Sequence, residues 1–123
     1  MLTKISSNDA ERLFQDGLDQ FAGGLFAEAV ASFRAAISAD PGYFEAHHGL
    51  IRALREVGQV EPSIAAALAL TALTPKDPLA HTALSISLQK GGHISEAEAA
   101  AARARILEWK AELESTSKPE NKP

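Results

Sequence analysis

Apolar residues along the chain recur at helical spacing. Leu50, Leu54 and Val57 fall at i, i+4 and i+7, and Leu84, Leu88 and Gly91 follow the same offsets less completely. Gly24, Gly58 and Gly92 close apolar stretches and stand 34 residues apart. Other columns keep that register: Phe26, Val60 and Ile94, then Ala29, Ser63 and Ala97, then Phe33, Ala67 and Ala101, then Ala36, Leu70 and Ala104. Leu50 pairs with Leu84 and Leu54 with Leu88, while Pro41 and Pro75 close the first two units. A period of 34 residues with helical spacing inside it describes a repeated pair of helices.

Start and stop signals divide each unit. A glycine takes the left-handed conformation after a helix without a Cβ penalty, so each first helix should end at its glycine. Asn8-Asp-Ala-Glu11 reads as a capping box, Asp77-Pro78 as an N-cap followed by proline, and Pro62 suits a first turn. The spacing predicts six helices, at 9–22, 26–39, 43–57, 61–73, 78–90 and 94–114. Connections of three to five residues make neighbours antiparallel. The small residues at 29, 63 and 97 let paired helices approach closely.

The third unit reads as the last. Val30 and Ile37, then Ile64 and Thr71, occupy positions facing a following unit, and Glu98 and Arg105 replace them in the third. Charges there fit a polar terminal cap, since burying them unpaired is costly. Trp109 replaces the stop proline, so the last helix should run on through Lys110 and Leu113. The segment Ser115–Pro123 is polar and is expected to be solvated.

Composition narrows the class. The 123 residues are 46% hydrophobic and 23% charged, with a formal net charge of -4, which fits a folded domain rather than a disordered chain. Alanine supplies 24 residues, consistent with closely packed helices. The acidic balance argues against general nucleic-acid binding, and no run is long enough to span a membrane. The absence of cysteine removes disulfides, thiolate metal sites and cysteine nucleophiles. The first residues lack an apolar signal segment, so a cytoplasmic location is expected.

From residue 10 to about 111 the chain resembles the tetratricopeptide repeat family. Gly17, Gly24, Phe26, Ala29, Phe33, Ala36 and Pro41 match that family's pattern in the first repeat. Leu50, Leu54, Gly58 and Pro75 match in the second, and Leu84, Leu88, Gly92, Ala97 and Ala104 in the third. Asp16 and Gln20 depart from it, standing where the family has leucine and an aromatic. The resemblance implies an all-α, right-handed α-solenoid of three antiparallel helix pairs with an extended C-terminal capping helix. Its parts are a lead at 1–8, repeats at 9–43, 44–77 and 78–111, and a helix end with polar tail at 112–123.

The resemblance also implies a non-catalytic protein-interaction module whose concave groove is lined by the first helix of each pair. The family's groove positions fall at Phe14, Leu18 and Phe21, at His48, Arg52 and Arg55, and at Thr82, Ile86 and Gln89. Independently, 14/18/21 and 48/52/55 each share one helix face. Such a groove selects a peptide with apolar and acidic residues. The competing reading packs both phenylalanines in the core and leaves the arginines solvating a helix. The carboxylate clamp of chaperone-binding members would fall at Phe14, Leu18, Gly49, Leu79 and Ala83, none of which can serve.

Other chemistry finds little support. His47 and His81 are equivalent across one repeat, with Leu13 heading their column, which suggests a packing position; no metal or cofactor is expected. Gly23-Gly24 and Gly91-Gly92 lack a phosphate-loop context, and no nucleophile turn or paired-carboxylate site is present, so no enzyme is expected. Ile106, Trp109 and Leu113 form an apolar stripe on the last helix. It is expected to pack back on the third repeat in a monomer. The alternative is a homo-oligomerising structural module with the stripe as contact. A small client or secretion chaperone is the remaining alternative.

Overall fold

The computed structural model describes residues 7–117, and its described residues form six helices and no strand. They are α1 (Ser7–Ala22), α2 (Phe26–Ala39), α3 (Phe44–Glu56), α4 (Val60–Leu73), α5 (Pro78–Lys90) and α6 (Ile94–Ser117). Four starts or ends move by one or two residues from the sequence expectation, and α6 runs three residues further. Asn8 lies inside α1, which is already helical at Ser7, so the expected capping box does not mark its start. The polar residues from 118 onward and the first six lie outside the described residues.

The turns within each pair repeat one geometry. Gly24, Gly58 and Gly92 have φ of 80°, 84° and 82°. Each is followed by an amide that donates five residues back: Leu25 to Gln20, Gln59 to Leu54 and His93 to Leu88, at 2.8, 2.9 and 2.9 Å. This is the Schellman stop, which satisfies carbonyls that the helix end leaves open. Between pairs, Asp77 caps α5 by accepting from the Leu79 amide at 3.0 Å, with Pro78 in the first turn.

Consecutive helices pack throughout, and α1 approaches α3 as α3 approaches α5. No such approach joins α2 to α4 or α4 to α6. The array therefore curves with α1, α3 and α5 on its inner side. Ala29, Ser63 and Ala97 are buried where paired helices cross, and the Ser63 hydroxyl is satisfied by the Val60 carbonyl at 2.6 Å. One core cluster centres on Phe33, Leu50, Ala53 and Leu54, the other on Ile51, Ala67, Leu70, Leu84 and Leu88.

Phe33 packs in a slot that only glycine permits. A Cβ added at Gly17 or Gly49 would lie 2.6 or 2.7 Å from its ring. The departures at Asp16 and Gln20 are accommodated by polarity. Asp16 points outward 3.9 Å from Arg12. In the orientation that satisfies its surroundings, the Gln20 amide nitrogen donates to the Glu28 carbonyl at 3.0 Å and to the Ser32 hydroxyl at 2.7 Å, tying α1 to α2. Glu98 and Arg105 are exposed on α6.

Candidate functional site

On the inner side, α3 and α5 enclose a hollow of about 220 Å³ lined by His48, Arg52, Arg55, Leu79, Thr82, Ala83 and Ile86. Helical spacing explains the set. His48, Arg52 and Arg55 share one face of α3, and Leu79, Thr82, Ala83 and Ile86 one face of α5. Five residues anticipated from sequence thus meet in one place, and Leu79 and Ala83 join them. Gln89 is exposed on α5 but outside this lining.

The two arginines are held in different ways. The Arg55 guanidinium crosses from α3 to α5 and donates to the Ser87 hydroxyl at 2.9 Å, with the Ala83 carbonyl at 3.5 Å. Burial lowers its pKa, the Arg52 charge adds to that, and Glu56 opposes it; a guanidinium stays protonated regardless. Arg52 lies over the Phe21 ring, 5.2 Å from its centroid, which fixes the cation by its attraction to the ring face. Among the described residues no ion pair joins either arginine to a carboxylate. His48 is half-buried beside them. Burial pushes its pKa below the ordinary imidazole value and His47 adds to this, against Asp77 and Glu45.

The inner face of α1 is built differently. Phe14 is half-buried, with ring centroids 5.8 Å from Phe33 and 5.0 Å from Tyr43. Phe21 stacks edge-on against Phe26 at 5.0 Å. Both pack against the first core cluster, and only Phe21 reaches the cationic region, through Arg52. Leu18 is exposed on α1 apart from the hollow.

The histidines outside the site are structural. His47 Nε2 lies 2.8 Å from the Pro41 carbonyl and His81 Nε2 2.9 Å from the Pro75 carbonyl. A carbonyl only accepts, so each ring donates from Nε2 and ties its helix to the preceding loop. His93 Nε2 meets Glu61 at 3.1 Å, and that hydrogen bond raises its pKa above the ordinary value. No group of three histidine or carboxylate side chains among the described residues is placed to hold a metal. No helix of the described chain is long and apolar enough to cross a membrane.

The expectation that Ile106, Trp109 and Leu113 pack back on the third repeat is corrected. Trp109 is 61% exposed, and α6 carries the stripe on the side turned away from α5. The face that does pack comprises Ala97, Ala100, Ala104 and Leu107, four residues that already fill the space against α5. Sequence reasoning also missed two residues. Gly49 stands inside a helix without a turn to explain it, and Ser87 is a hydroxyl in a column where Ala53 is core. Each was a local anomaly that signalled a close approach or a polar partner.

Repeated helix pairs with an inner hollow define a helical-repeat protein. The chain belongs to the tetratricopeptide repeat family, whose signature matches residues 20–86. No curated protein matches it in sequence. Among solved structures, it is similar to a chain of the CopN–Scc3 complex, with 24% identity, a TM-score of 0.77, and coverage of 94% of this chain and 72% of that one. The Yersinia enterocolitica type III secretion translocator chaperone SycD aligns at 24% identity and TM-score 0.77, over 85% of this chain and 80% of that one. The first TPR of Spaghetti (RPAP3), bound to the HSP90 peptide SRMEEVD, aligns at 19% identity and TM-score 0.78, over 87% and 85%. These likenesses show a shared fold.

Proposed function

We propose that the protein is a non-catalytic interaction module that holds an acidic, apolar peptide segment against its inner face. One observation carries the reading: two arginines without carboxylate partners among the described residues line one hollow with the apolar side chains of Leu79, Ala83 and Ile86. Leu79 and Ile86 offer exposed aliphatic surface within it. Unpaired cations beside apolar surface favour a ligand that supplies a carboxylate next to an aliphatic or aromatic side chain. Peptide capture by the RPAP3 repeat and the chaperone SycD, which share the fold, support binding of this general kind. Client shielding is the same mode with a longer apolar segment. Phe14, Leu18, Gly49, Leu79 and Ala83 supply no cation or amide, which argues against a carboxylate clamp at those positions.

The test is fluorescence anisotropy with a synthetic peptide library alternating Asp or Glu with Leu, Ile or Phe. Binders are expected, and their lysine-substituted counterparts should fail. Arg52→Glu, on an exposed side chain, should weaken binding at least about tenfold with helicity intact, since a lost charged contact typically costs a kcal/mol or more. Unchanged affinity in Arg52→Glu and in Arg52→Glu/Arg55→Glu moves the site off this face.

A further inference from the structure

The last helix has two faces of opposite fate. Ala97, Ala100, Ala104 and Leu107 are buried, and beyond Leu107 every described side chain is exposed. On the side away from α5, Ala102, Ile106, Trp109 and Leu113 fall at i, i+4, i+7 and i+11. The last three are 43%, 61% and 48% exposed. A contiguous stripe of large apolar side chains, with a tryptophan at its middle, marks an interaction surface rather than ordinary surface scatter.

We infer that this stripe is the contact face for a second copy of the chain, with the two α6 helices antiparallel about a two-fold axis between Ile106 and Trp109. The sequence is self-complementary in that arrangement. Ile106 meets Trp109 of the second copy, and small Ala102 meets large Leu113, at both ends of the contact. On one flank Arg105 comes beside Glu112 of the second copy, and the symmetry makes that pair twice. On the other flank Arg103 lies between Lys110 and Glu114 of the second copy, charges of opposite sign. A parallel arrangement instead places Trp109 on Trp109 and Arg105 beside Lys110. In the parallel pair Glu98 beside Arg103 offsets Arg105 beside Lys110, so volume and the doubled Arg105–Glu112 pair, rather than the remaining charges, select the antiparallel arrangement. The contact uses the outer side of α6 and is independent of the hollow between α3 and α5.

Sedimentation equilibrium on the full chain tests the inference. A contact this small should assemble only in the micromolar range or above. The average mass is expected to rise from the 13.0 kDa of one chain toward twice that between about 5 µM and about 1 mM. Trp109→Ala changes an exposed residue, so it should fold normally and stay monomeric throughout. Arg105→Glu and Glu112→Arg should each weaken association several-fold, and the two combined should restore it. A monomer at the highest concentration overturns the inference. So does a dimer that survives Trp109→Ala, or a double variant no better than either single one.

Discussion

On its inner side the junction between the first and second helix pairs is filled, whereas the junction between the second and third is hollow there. In the first, Phe33 from α2 wedges between Gly17 of α1 and Gly49 of α3. In the second, the residues one period later are Ala67, Ile51 and Ala83. The bulk has moved from the second helix of a pair to its first, and both arrangements bury their central residue completely. The inner surfaces differ accordingly. Phe14 is drawn into aromatic packing with Phe33 and Tyr43 at the first junction, and Phe21 packs on Phe26 within the first pair. At the second, small Ala83 and Ser87 leave room for Arg55 to reach across. Capacity for a ligand follows from where the chain spends small side chains.

The strongest way to break the filled junction is Phe33→Ala, expected to cost about 3–5 kcal/mol because glycines on both sides cannot close the void. Urea denaturation gives the value. Gly49→Ala is the finer probe. Alanine gains about 1 kcal/mol in helix propensity, yet its Cβ would meet the Phe33 ring at 2.7 Å, so a net loss of roughly 1–3 kcal/mol is expected. Adding Phe33→Leu should recover part of that loss, a non-additivity that shows direct contact. A stabilised Gly49→Ala protein would show that the ring has room to move.

At the hollow junction, Arg55→Met keeps the side-chain length but leaves buried Ser87 without its partner from α3. The expected cost is about 1–2 kcal/mol, read by the same denaturation, with a larger loss of acidic-peptide affinity. The smallest effect is in pH. His48, whose folded pKa is depressed by burial, binds fewer protons folded than unfolded, so its contribution is lost as pH falls from about 6.5 toward that lower value. His93, raised by Glu61, acts in the opposite sense. Its contribution is full below about 6.5 and is lost as pH rises through the raised value. His48→Gln should flatten the acid side of the stability profile and His93→Ala the neutral side. Thermal melts from pH 5 to 8 would separate them.

The fold was legible because its signals are local and repeated. A glycine stop, a small crossing residue and a leucine face recur at fixed spacing, and the Schellman turns follow from them. The site was legible only along each helix. Spacing put His48, Arg52 and Arg55 on one face, but not which residues of α5 would oppose them. Leu79 and Ala83 joined the hollow because α5 packs with that face inward, and Ser87 became a partner because Arg55 is long enough to reach it. The Trp109 stripe was misplaced for a related reason. Periodicity identifies an apolar face, while only the packing of α6 against α5 shows that another face, lined with alanines, had already taken the interior.

A second concavity sets the sharpest test. Between α2 and α4 on the outer side lies a slot of about 410 Å³, larger than the inner hollow and lined by Arg34, Ile37, Ala65, Ala66 and Ala69 among others. Size favours the slot, whereas the convergence of Arg52 and Arg55 favours the hollow. Titrating the isotope-labelled protein with the tightest acidic–apolar peptide, and following amide and arginine side-chain resonances, decides between them. Shifts concentrated at His48, Arg52, Arg55, Thr82 and Ile86 are predicted. Shifts centred on Arg34, Ile37, Ala65 and Ala69, with Arg52 and Arg55 unmoved, would contradict the account.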